Sequence, residues 1–268
     1  MIPEPAPTVR ELLAFYLEAG VDCALAEEPV DRLAELDAPA PAPRAAPVEA
    51  PRPVVAPAVM RGEVAPAPDV AISSAREAAR TAPTLEALRE LMQNFEGCAL
   101  KHTATRLVFA DGNPQARIMF VGEAPGRDED IEGLPFVGRS GKLLDLMIGA
   151  IGLNRTAAYI TNVIPWRPPG NRTPTPQETQ ICLPFIQRHI ELVNPDVLVT
   201  LGNPSTQTLL STREGIMRTR GRWFDYDTGQ RTIRALPTFH PAYLLRSPSY
   251  KRLAWQDLRS IAKVLAGS

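Results

Sequence analysis

The chain has 268 residues, and its 29 Lys and Arg side chains nearly balance its 30 Asp and Glu side chains. Its three cysteines, Cys23, Cys98 and Cys182, lie far apart in the sequence, which argues against a disulfide framework and for a reducing compartment. No apolar run approaches the roughly 20 residues that cross a bilayer, and the amino terminus lacks signal-peptide features, so a soluble, cytoplasmic protein that contacts no membrane is predicted.

The first part of the chain is predicted to be separate from the rest. Residues 1–36 form a small helical segment, because apolar residues repeat at helical spacing along TVRELLAFYLEA (8–19). A disordered tail that forms helix only transiently is the alternative. Residues 37–83 are predicted to be a Pro/Ala-rich flexible linker, since nine prolines fall between Asp37 and Asp69 and preclude helix or sheet.

Residues 84–268 are predicted to form the main domain, in which helices and buried strands alternate after a first helix, TLEALRELMQNF. The strands are ARIMFVG (116–122), AYITNVI (158–164) and DVLVTLG (196–202), followed by a hairpin around DYDTGQRTI. The helices are GKLLDLMIGAI (141–151), PQETQICLPFIQRHIELV (176–193), NPSTQTLL (203–210) with Asn203 as its cap, and a terminal helix from about Ser249. Pro184 is expected to kink the second of these or to limit its first half.

This alternation predicts an α/β fold with a mostly parallel sheet covered on both faces. Binding sites in such folds lie at the carboxyl ends of the strands. Four polar, Gly- and Pro-rich loops follow those ends and are expected to converge on one cleft. They are GEAPG (122–126), TNVIPWRPPGNRTP (161–174), LGNPS (201–205) and FHPAY (239–243).

The charge distribution supports binding to a polyanion. Residues 1–83 carry 7 Lys and Arg against 13 Asp and Glu, whereas residues 84–268 carry 22 against 17. A basic domain beside an acidic arm is typical of such proteins, although an unevenly charged solvated surface gives the same excess. Common nucleotide motifs are absent: Lys142 in GRSGKL precedes Leu143 rather than Ser or Thr, and there is no G-x-G-x-x-G.

The segment GEAPGRDEDIEGLPFVGRSG (122–141) carries the most chemical information. Gly122 and Gly126 let the backbone approach a flat ligand, and Glu123 at the strand end can orient water or offset positive charge. Phe136 is a rigid aromatic that can stack on a base. On composition alone, a structural turn is the favoured interpretation.

Three segments together resemble the family-four, or thermophile-type, uracil-DNA glycosylases. They are GEAPG…GLPFVGRSG, TNVIPWRPPGNRTPTPQE and HPAYLLR, and they occur in the family's order and spacing over roughly residues 95–265. The resemblance implies a three-layer α/β/α fold with a four-stranded, mostly parallel sheet. It also implies a monofunctional enzyme of base excision repair that flips uracil from DNA and hydrolyses its N-glycosidic bond, leaving an abasic site.

The resemblance assigns roles around the flipped base. Phe136 matches the aromatic that stacks on uracil, and Asn162 matches the amide that pairs with its polar edge. An amide can donate to O4 and accept from N3–H, whereas cytosine presents the opposite pattern. Glu129 matches a side chain placed against C5, where the methyl group of thymine would clash. His240 matches the histidine that donates to O2 in the transition state.

The expected catalytic residues are Glu123, Asn162 and His240. Cleavage of the glycosidic bond builds negative charge on uracil, which His240 stabilises as a preorganised donor. Glu123 is the candidate that positions the attacking water, since Ala124 stands where better-known uracil glycosylases carry Asp. Backbone N–H groups around Gly122 and Glu123 are expected to contact the base.

The segment after His240, AYLLRSPSYKR, resembles the family's intercalation loop. Leu244 and Leu245 are both candidates for the side chain that enters the base stack. Candidate phosphate contacts are Lys142, Arg172, Arg246, Lys251 and the run Arg218, Arg220 and Arg222, for which a solvated hairpin is an equal alternative.

Family-four members hold an iron–sulfur cluster with four cysteines. Cys98 and Cys182 match the first and fourth ligands. The second and third positions are Lys101 and Trp166, and only His102 lies near enough in sequence to replace the lost second ligand. We therefore predict no cofactor and no metal site.

The lost cluster leaves space that other residues must fill. Trp166 and Leu100 are predicted to form a hydrophobic plug that anchors the 165–175 loop. Lys101 is expected either to pair with a carboxylate or to reach DNA phosphate.

Two other functions fit parts of the sequence. A non-catalytic uracil- or damage-binding repair protein would use the same pocket, and a nucleotide-hydrolysing enzyme on a related fold is weaker because the base-pocket residues are intact. The N-terminal helix is a candidate site for a repair or replication partner, or it folds back on the domain. The uracil-containing DNA is the expected substrate, and the protein is predicted to be a monomer.

Overall fold

The structure is a computed structural model that describes residues 68–267. The predicted helical segment 1–36 and most of the predicted linker lie outside the described residues. None of the helices in the described range is long and apolar enough to span a membrane.

A six-stranded sheet forms the centre of this part of the chain, in the order β1-β3-β2-β4-β6-β5. Strands β2, β3, β4 and β6 are mutually parallel, whereas β1 and β5 pair antiparallel with β3 and β6 at the two edges. The strands are β1 Asp111–Gly112, β2 Ile118–Gly122, β3 Tyr159–Asn162, β4 Val197–Leu201, β5 Phe224–Asp227 and β6 Thr232–Thr238. The α/β class is therefore confirmed, and two edge strands extend the four expected strands to six.

The helices are α1 Pro68–Thr81, α2 Leu85–Asn94, α3 Leu100–Thr103, α4 Arg127–Glu132, α5 Arg139–Gly149, α6 Pro176–Val193, α7 Asn203–Leu210, α8 Ile216–Thr219, α9 Pro241–Arg246 and α10 Lys251–Leu265. Short 3-10 helices span Arg155–Ala157, Pro169–Asn171 and Pro248–Tyr250.

Two hydrophobic cores, one on each face of the sheet, give the described part of the chain three layers. Along β2, Met119 and Val121 belong to one core, and Ile118 and Phe120 belong to the other. This is the alternation that a strand buried on both faces requires. Helices α1, α2 and α6 contribute to the first core, and α5, α9 and α10 contribute to the second.

Helix α1 falls inside the segment assigned to the linker, 37–83, so that boundary lies too late in the sequence. The helix begins at Pro68, where the prolines stop, and its alanines Ala71, Ala75 and Ala79 are buried along one face. Small side chains at this spacing let α1 pack closely on α6.

Two local expectations about helices changed in detail. Helix α6 continues through Pro184 from Pro176 to Val193, so the proline does not end it. The cap of α7 is Gly202 rather than Asn203, because the chain turns there with φ +90°. The Asn203 Oδ1 instead accepts from the Ile216 N–H at 3.0 Å, which ties α7 to α8.

Candidate active site

A cavity of about 350 Å³ opens at the carboxyl ends of β2, β3 and β6. Its lining includes Glu123, Ala124, Pro125, Gly126, Glu129, Phe136, Ser140, Asn162, Pro168, Asn171, Arg172, Thr173, Pro174, His240, Ala242 and Arg246. Three of the four predicted loops therefore meet at one pocket. The fourth loop, LGNPS, lies against His240, since a Cβ on Gly202 would be 3.0 Å from the Cβ of His240.

Gly122 ends β2 at the back of the pocket, where two side chains approach its backbone closely. A Cβ at this position would lie 2.4 Å from Asn162 Oδ1 and 2.6 Å from Phe136 Cζ. Because real contacts of this kind do not occur, only glycine permits the observed arrangement of the amide and the ring.

Phe136 presents its ring to the pocket from an unusual backbone conformation. Its φ is +55°, in the left-handed region that residues other than glycine seldom adopt. The ring centre lies 5.5 Å from that of His240, with 31° between the two planes, and the side chain is buried. The carbonyl of Phe136 packs against Gly141, where a Cβ would come within 1.6 Å of the oxygen.

Asn162 ends β3 with a buried side chain. Within residues 68–267 its Oδ1 is the one buried side-chain oxygen or nitrogen that lacks a hydrogen-bond partner. A buried acceptor without a donor destabilises the free protein, so the arrangement favours a ligand that brings an N–H group.

His240 is held in one tautomer by the helix that follows it. As the cap of α9, its Nδ1 accepts from the Ala242 N–H at 3.1 Å, which leaves the proton on Nε2. Burial, aided by the positive charge of Arg246, lowers the pKa of His240 to about 4. The neutral imidazole therefore offers an Nε2–H donor at physiological pH.

The two pocket glutamates have different environments. The carboxylate of Glu129 accepts from the backbone N–H groups of Gly126, Val137 and Gly138 at 3.0 to 3.1 Å. It thereby ties the loop after β2 to the segment that carries Phe136. Burial raises the pKa of Glu123, whose side chain faces the pocket.

The two leucines of the proposed intercalation loop point in opposite directions. Leu244 is 1% exposed and belongs to the second core, so the expectation that it enters the base stack is wrong. Leu245 is 36% exposed and lines a neighbouring cavity with Arg127, Arg139 and Arg246.

The candidate phosphate contacts differ in whether their charges are exposed or already paired. Lys142, Arg246 and Lys251 are exposed, and Arg246 also lines the pocket. The guanidinium of Arg172 is paired with Glu178 through two hydrogen bonds of 2.9 and 2.6 Å, although it too lines the pocket.

The arginine run that begins in α8, Arg218, Arg220 and Arg222, contains one residue whose charge is paired in the interior. Arg220 forms a largely buried ion pair with Asp257, which also accepts from the hydroxyl of Thr238 at 2.8 Å. Its assignment as a phosphate contact is therefore wrong. Arg222 pairs with Glu214 at 2.7 Å, and Arg218 is exposed.

Sequence reasoning missed several residues around the pocket. Ser140 and Asn171 line it, and Arg155 binds the backbone that carries Phe136. Arg155 precedes β3 by several residues and carries no local signal, because its partners come from distant parts of the chain.

The region of the expected cluster contains two thiols and two replacements. Cys98 and Cys182 are fully buried beside each other, and the Cys182 pKa is raised well above the ordinary thiol value by its hydrogen bond to Cys98 and by burial. Trp166 is 2% exposed and packs in the same core as both cysteines and Leu100.

The other side chains of this region are directed elsewhere. Lys101 forms an ion pair with Glu96, and His102 lies 3.6 Å from the same carboxylate in an exposed position. Within the described range, no group of three or more Cys, His, Asp or Glu side chains is arranged to hold a metal. The residues present thus do not fit a four-ligand iron–sulfur cluster.

The chain is similar in sequence to proteins of a known family. Residues 109–259 match the model of the Uracil DNA glycosylase superfamily. The chain is 39% identical over 186 residues to the Type-4 uracil-DNA glycosylase of Sulfurisphaera tokodaii, which covers 68% of this chain and 84% of that protein. It is 41% identical over 177 residues to the protein of the same name from Thermotoga maritima, covering 65% and 91%. For the Archaeoglobus fulgidus protein of this name the identity is 39% over 181 residues, covering 66% and 90%.

Proposed function

The chain belongs to the type-4 uracil-DNA glycosylases of the uracil DNA glycosylase superfamily, and we propose that the pocket between Phe136, Asn162 and His240 is where it excises uracil from DNA. The observation that carries this assignment is the unpartnered Oδ1 of Asn162. This oxygen can accept from N3–H of uracil, where cytosine has no hydrogen to donate.

Four pocket residues have defined tasks in the proposed reaction. The Phe136 ring stacks on the base, and the Asn162 amide accepts from N3–H and donates to O4. As the glycosidic bond breaks, negative charge develops at uracil O2, and the Nε2–H of His240 stabilises it. Glu123 orients the water that attacks the sugar carbon C1′ and offsets the positive charge there.

Glu129 acts in this scheme chiefly as the group that holds the pocket together. Three backbone N–H groups occupy its carboxylate, and its side chain remains part of the pocket wall. We propose that exclusion of thymine results from the rigid wall that Glu129 fixes, rather than from a free carboxylate at C5.

The enzyme is proposed to be monofunctional. Strand cleavage by a lyase step needs an amine that forms a Schiff base with the sugar. The residues lining the pocket include no lysine, which supports simple hydrolysis with water as the nucleophile.

DNA is proposed to bind across the mouth of the pocket. Leu245 would occupy the space left by the flipped nucleotide, and Arg246, Lys142 and Lys251 would contact phosphates. Arg172 can contribute only if phosphate shares its guanidinium with Glu178. The described residues complete the pocket from one chain, which supports a monomer.

The function is tested by incubating the protein with oligonucleotides that contain one uracil and then cleaving abasic sites with alkali. We expect strand scission after alkali, none without it, and about a hundredfold lower rate for His240→Ala, the loss typical of an oxyanion donor. Tight binding to uracil-containing DNA without release of uracil would instead indicate a non-catalytic binder.

We propose further that the chain folds and works without an iron–sulfur cluster. Trp166 supports this proposal because its side chain is buried in the same hydrophobic core as Cys98 and Cys182, and Lys101 pairs with Glu96. Protein purified without oxygen is expected to contain no stoichiometric iron or sulfide and to keep its activity in a chelator. The double variant Lys101→Cys, Trp166→Cys restores four thiols and serves as the matched control. Stoichiometric iron in the wild type would overturn the proposal.

A further inference from the structure

We propose that Arg155 is a positioning residue for base recognition: it holds the Phe136 backbone in the conformation that directs the ring into the pocket. Arg155 lies in the 3-10 helix before β3, and its side chain is 24% exposed. Of its side-chain hydrogen-bond partners in the described range, Phe136 alone lines the pocket, so its effect on the base would be indirect. The inference rests on the stacking role proposed for Phe136.

The guanidinium of Arg155 binds four acceptors on three separate parts of the chain. Its Nη1 donates to the carbonyl of Pro135 at 3.2 Å, and its Nη2 donates to the carbonyl of Phe136. Its Nε binds Asp145 of α5 at 2.7 Å, and its Nη1 also binds Asp111 of β1 at 2.6 Å.

These contacts oppose a conformational preference of Phe136. A residue other than glycine seldom adopts a φ of +55°, and it keeps this conformation only where its surroundings fix it. The missing Cβ of Gly141 makes room for the Phe136 carbonyl, but it exerts no attraction. Arg155 supplies an attraction, because its Nη1 and Nη2 hold the carbonyls of Pro135 and Phe136, which flank the Phe136 Cα.

Two carboxylates from separate elements fix the guanidinium. Asp111 belongs to an edge strand and Asp145 to the helix that follows the Phe136 segment. An arginine can satisfy four acceptors in one plane, whereas a lysine ammonium is a single centre with three donors and cannot reach all of them. The bonding pattern therefore selects arginine and not merely a positive charge.

The test compares Arg155→Lys with wild type in two binding measurements. Free uracil should inhibit the variant about tenfold more weakly, the size expected when a stacking aromatic is displaced. Affinity for DNA that contains an abasic-site analogue should stay within about twofold, because that ligand has no base to stack. A residue that only stabilises the fold would not weaken one ligand and spare the other.

The matched control is Arg117→Lys. Arg117 also bridges a carboxylate and a carbonyl, Asp196 and Leu265, but at the amino end of the sheet. Its replacement should change neither ligand's affinity. Unfolding midpoints of all variants are measured alongside. If Arg155→Lys does not fold, Asp111→Asn takes its place in the same measurements. Free uracil should then inhibit this variant about threefold more weakly than wild type, and unchanged inhibition would contradict the proposal.

A double variant shows whether Arg155 acts through Phe136. Phe136→Leu alone should weaken inhibition by uracil, and adding Arg155→Lys should weaken it little further, since residues acting in series are not additive. Additive losses, or unchanged inhibition in Arg155→Lys while Phe136→Leu is impaired, would overturn this inference and leave the stacking role intact. Unchanged inhibition in Phe136→Leu itself would overturn both.

Discussion

The polar side chains of the pocket differ in what the protein leaves free on them. Asn162 keeps an unpartnered acceptor, and His240 keeps one donor because the Ala242 N–H occupies its other nitrogen. Glu129, by contrast, has both oxygens bound to backbone N–H groups. A donor or acceptor without a protein partner identifies a group that a ligand meets. A group whose donors or acceptors are all bonded within the protein shapes the pocket.

The unpartnered oxygen of Asn162 predicts opposite effects on stability and activity. Asn162→Ala removes a buried acceptor that the free protein does not satisfy, so the urea midpoint should stay unchanged or rise slightly. The specificity constant kcat/KM for uracil-containing DNA should fall at least about a hundredfold, because the variant can no longer pair with the polar edge of the base. A parallel fall in stability and activity would contradict this account.

The raised pKa of Glu123 predicts the acid side of the pH–rate profile. Burial favours the protonated carboxyl, so the carboxylate that we propose to orient water is lost at a pH above the ordinary value of 4.5. His240, with a pKa of about 4, stays neutral through that range and is not the cause. Glu123→Gln should lower kcat about a hundredfold and remove this acid limb, which stopped-time assays from pH 4.5 to 8 would test.

The central residues of the candidate site could be predicted from the sequence because they lie next to strand ends in recognisable motifs. Phe136, Asn162 and His240 line one pocket, as expected. Arg155 and the backbone contacts of Glu129 could not be predicted in this way. Their partners are set by how loops pack, and Arg155 lies 19 residues from the carbonyl that it holds.

Helices and strands were predictable where periodicity and caps agree. Helix α2 begins after Thr84, whose hydroxyl accepts from the Ala87 N–H, and α6 begins with a capping box at Thr175. Helix α1 escaped prediction because its alanines resemble the preceding Ala-Pro repeats in composition. Edge strand β1 has two residues and depends entirely on its pairing with β3.

Helix α9 separates two adjacent leucines into two roles. Leu244→Ala should destabilise the protein by about 2 to 5 kcal/mol, because it leaves a cavity in the second core. Leu245→Ala should change stability by less than about 0.5 kcal/mol. It should slow excision from double-stranded DNA more than from single-stranded DNA, where no stack has to be opened. Urea unfolding and initial rates on both substrates test the pair.

At the scale of the whole molecule, the two cores are continuous from the outer helices to the sheet, and one of them contains a buried histidine. His189 of α6 stacks on Phe109 with ring centres 4.4 Å apart, and its Nε2 lies 2.8 Å from the Tyr159 hydroxyl. Burial lowers the pKa of His189 to about 3. The core therefore accommodates this side chain only in its neutral form.

The two histidines whose pKa values are lowered predict loss of stability in acid. Their pKa values, about 3 for His189 and about 4 for His240, lie below the ordinary value of 6.5 that applies once the chain unfolds. The unfolded chain thus binds more protons below pH 6.5, and stability should fall as the pH decreases from 6.5 towards 3. His189→Gln should reduce the slope of the melting temperature against pH in this range. An unchanged slope would contradict the assignment.

The backbone ties around Phe136, Gly122 and His240 form a pocket that is complete before any ligand arrives. The partner that must change shape is then the DNA, and the rate of capture depends on how long a base spends outside its stack. Uracil opposite guanine, or in a single strand, opens more readily than uracil paired with adenine. We expect kcat/KM for these substrates to follow that order of opening. A rigid pocket would then make the enzyme prefer some DNA contexts over others, although all of them contain uracil.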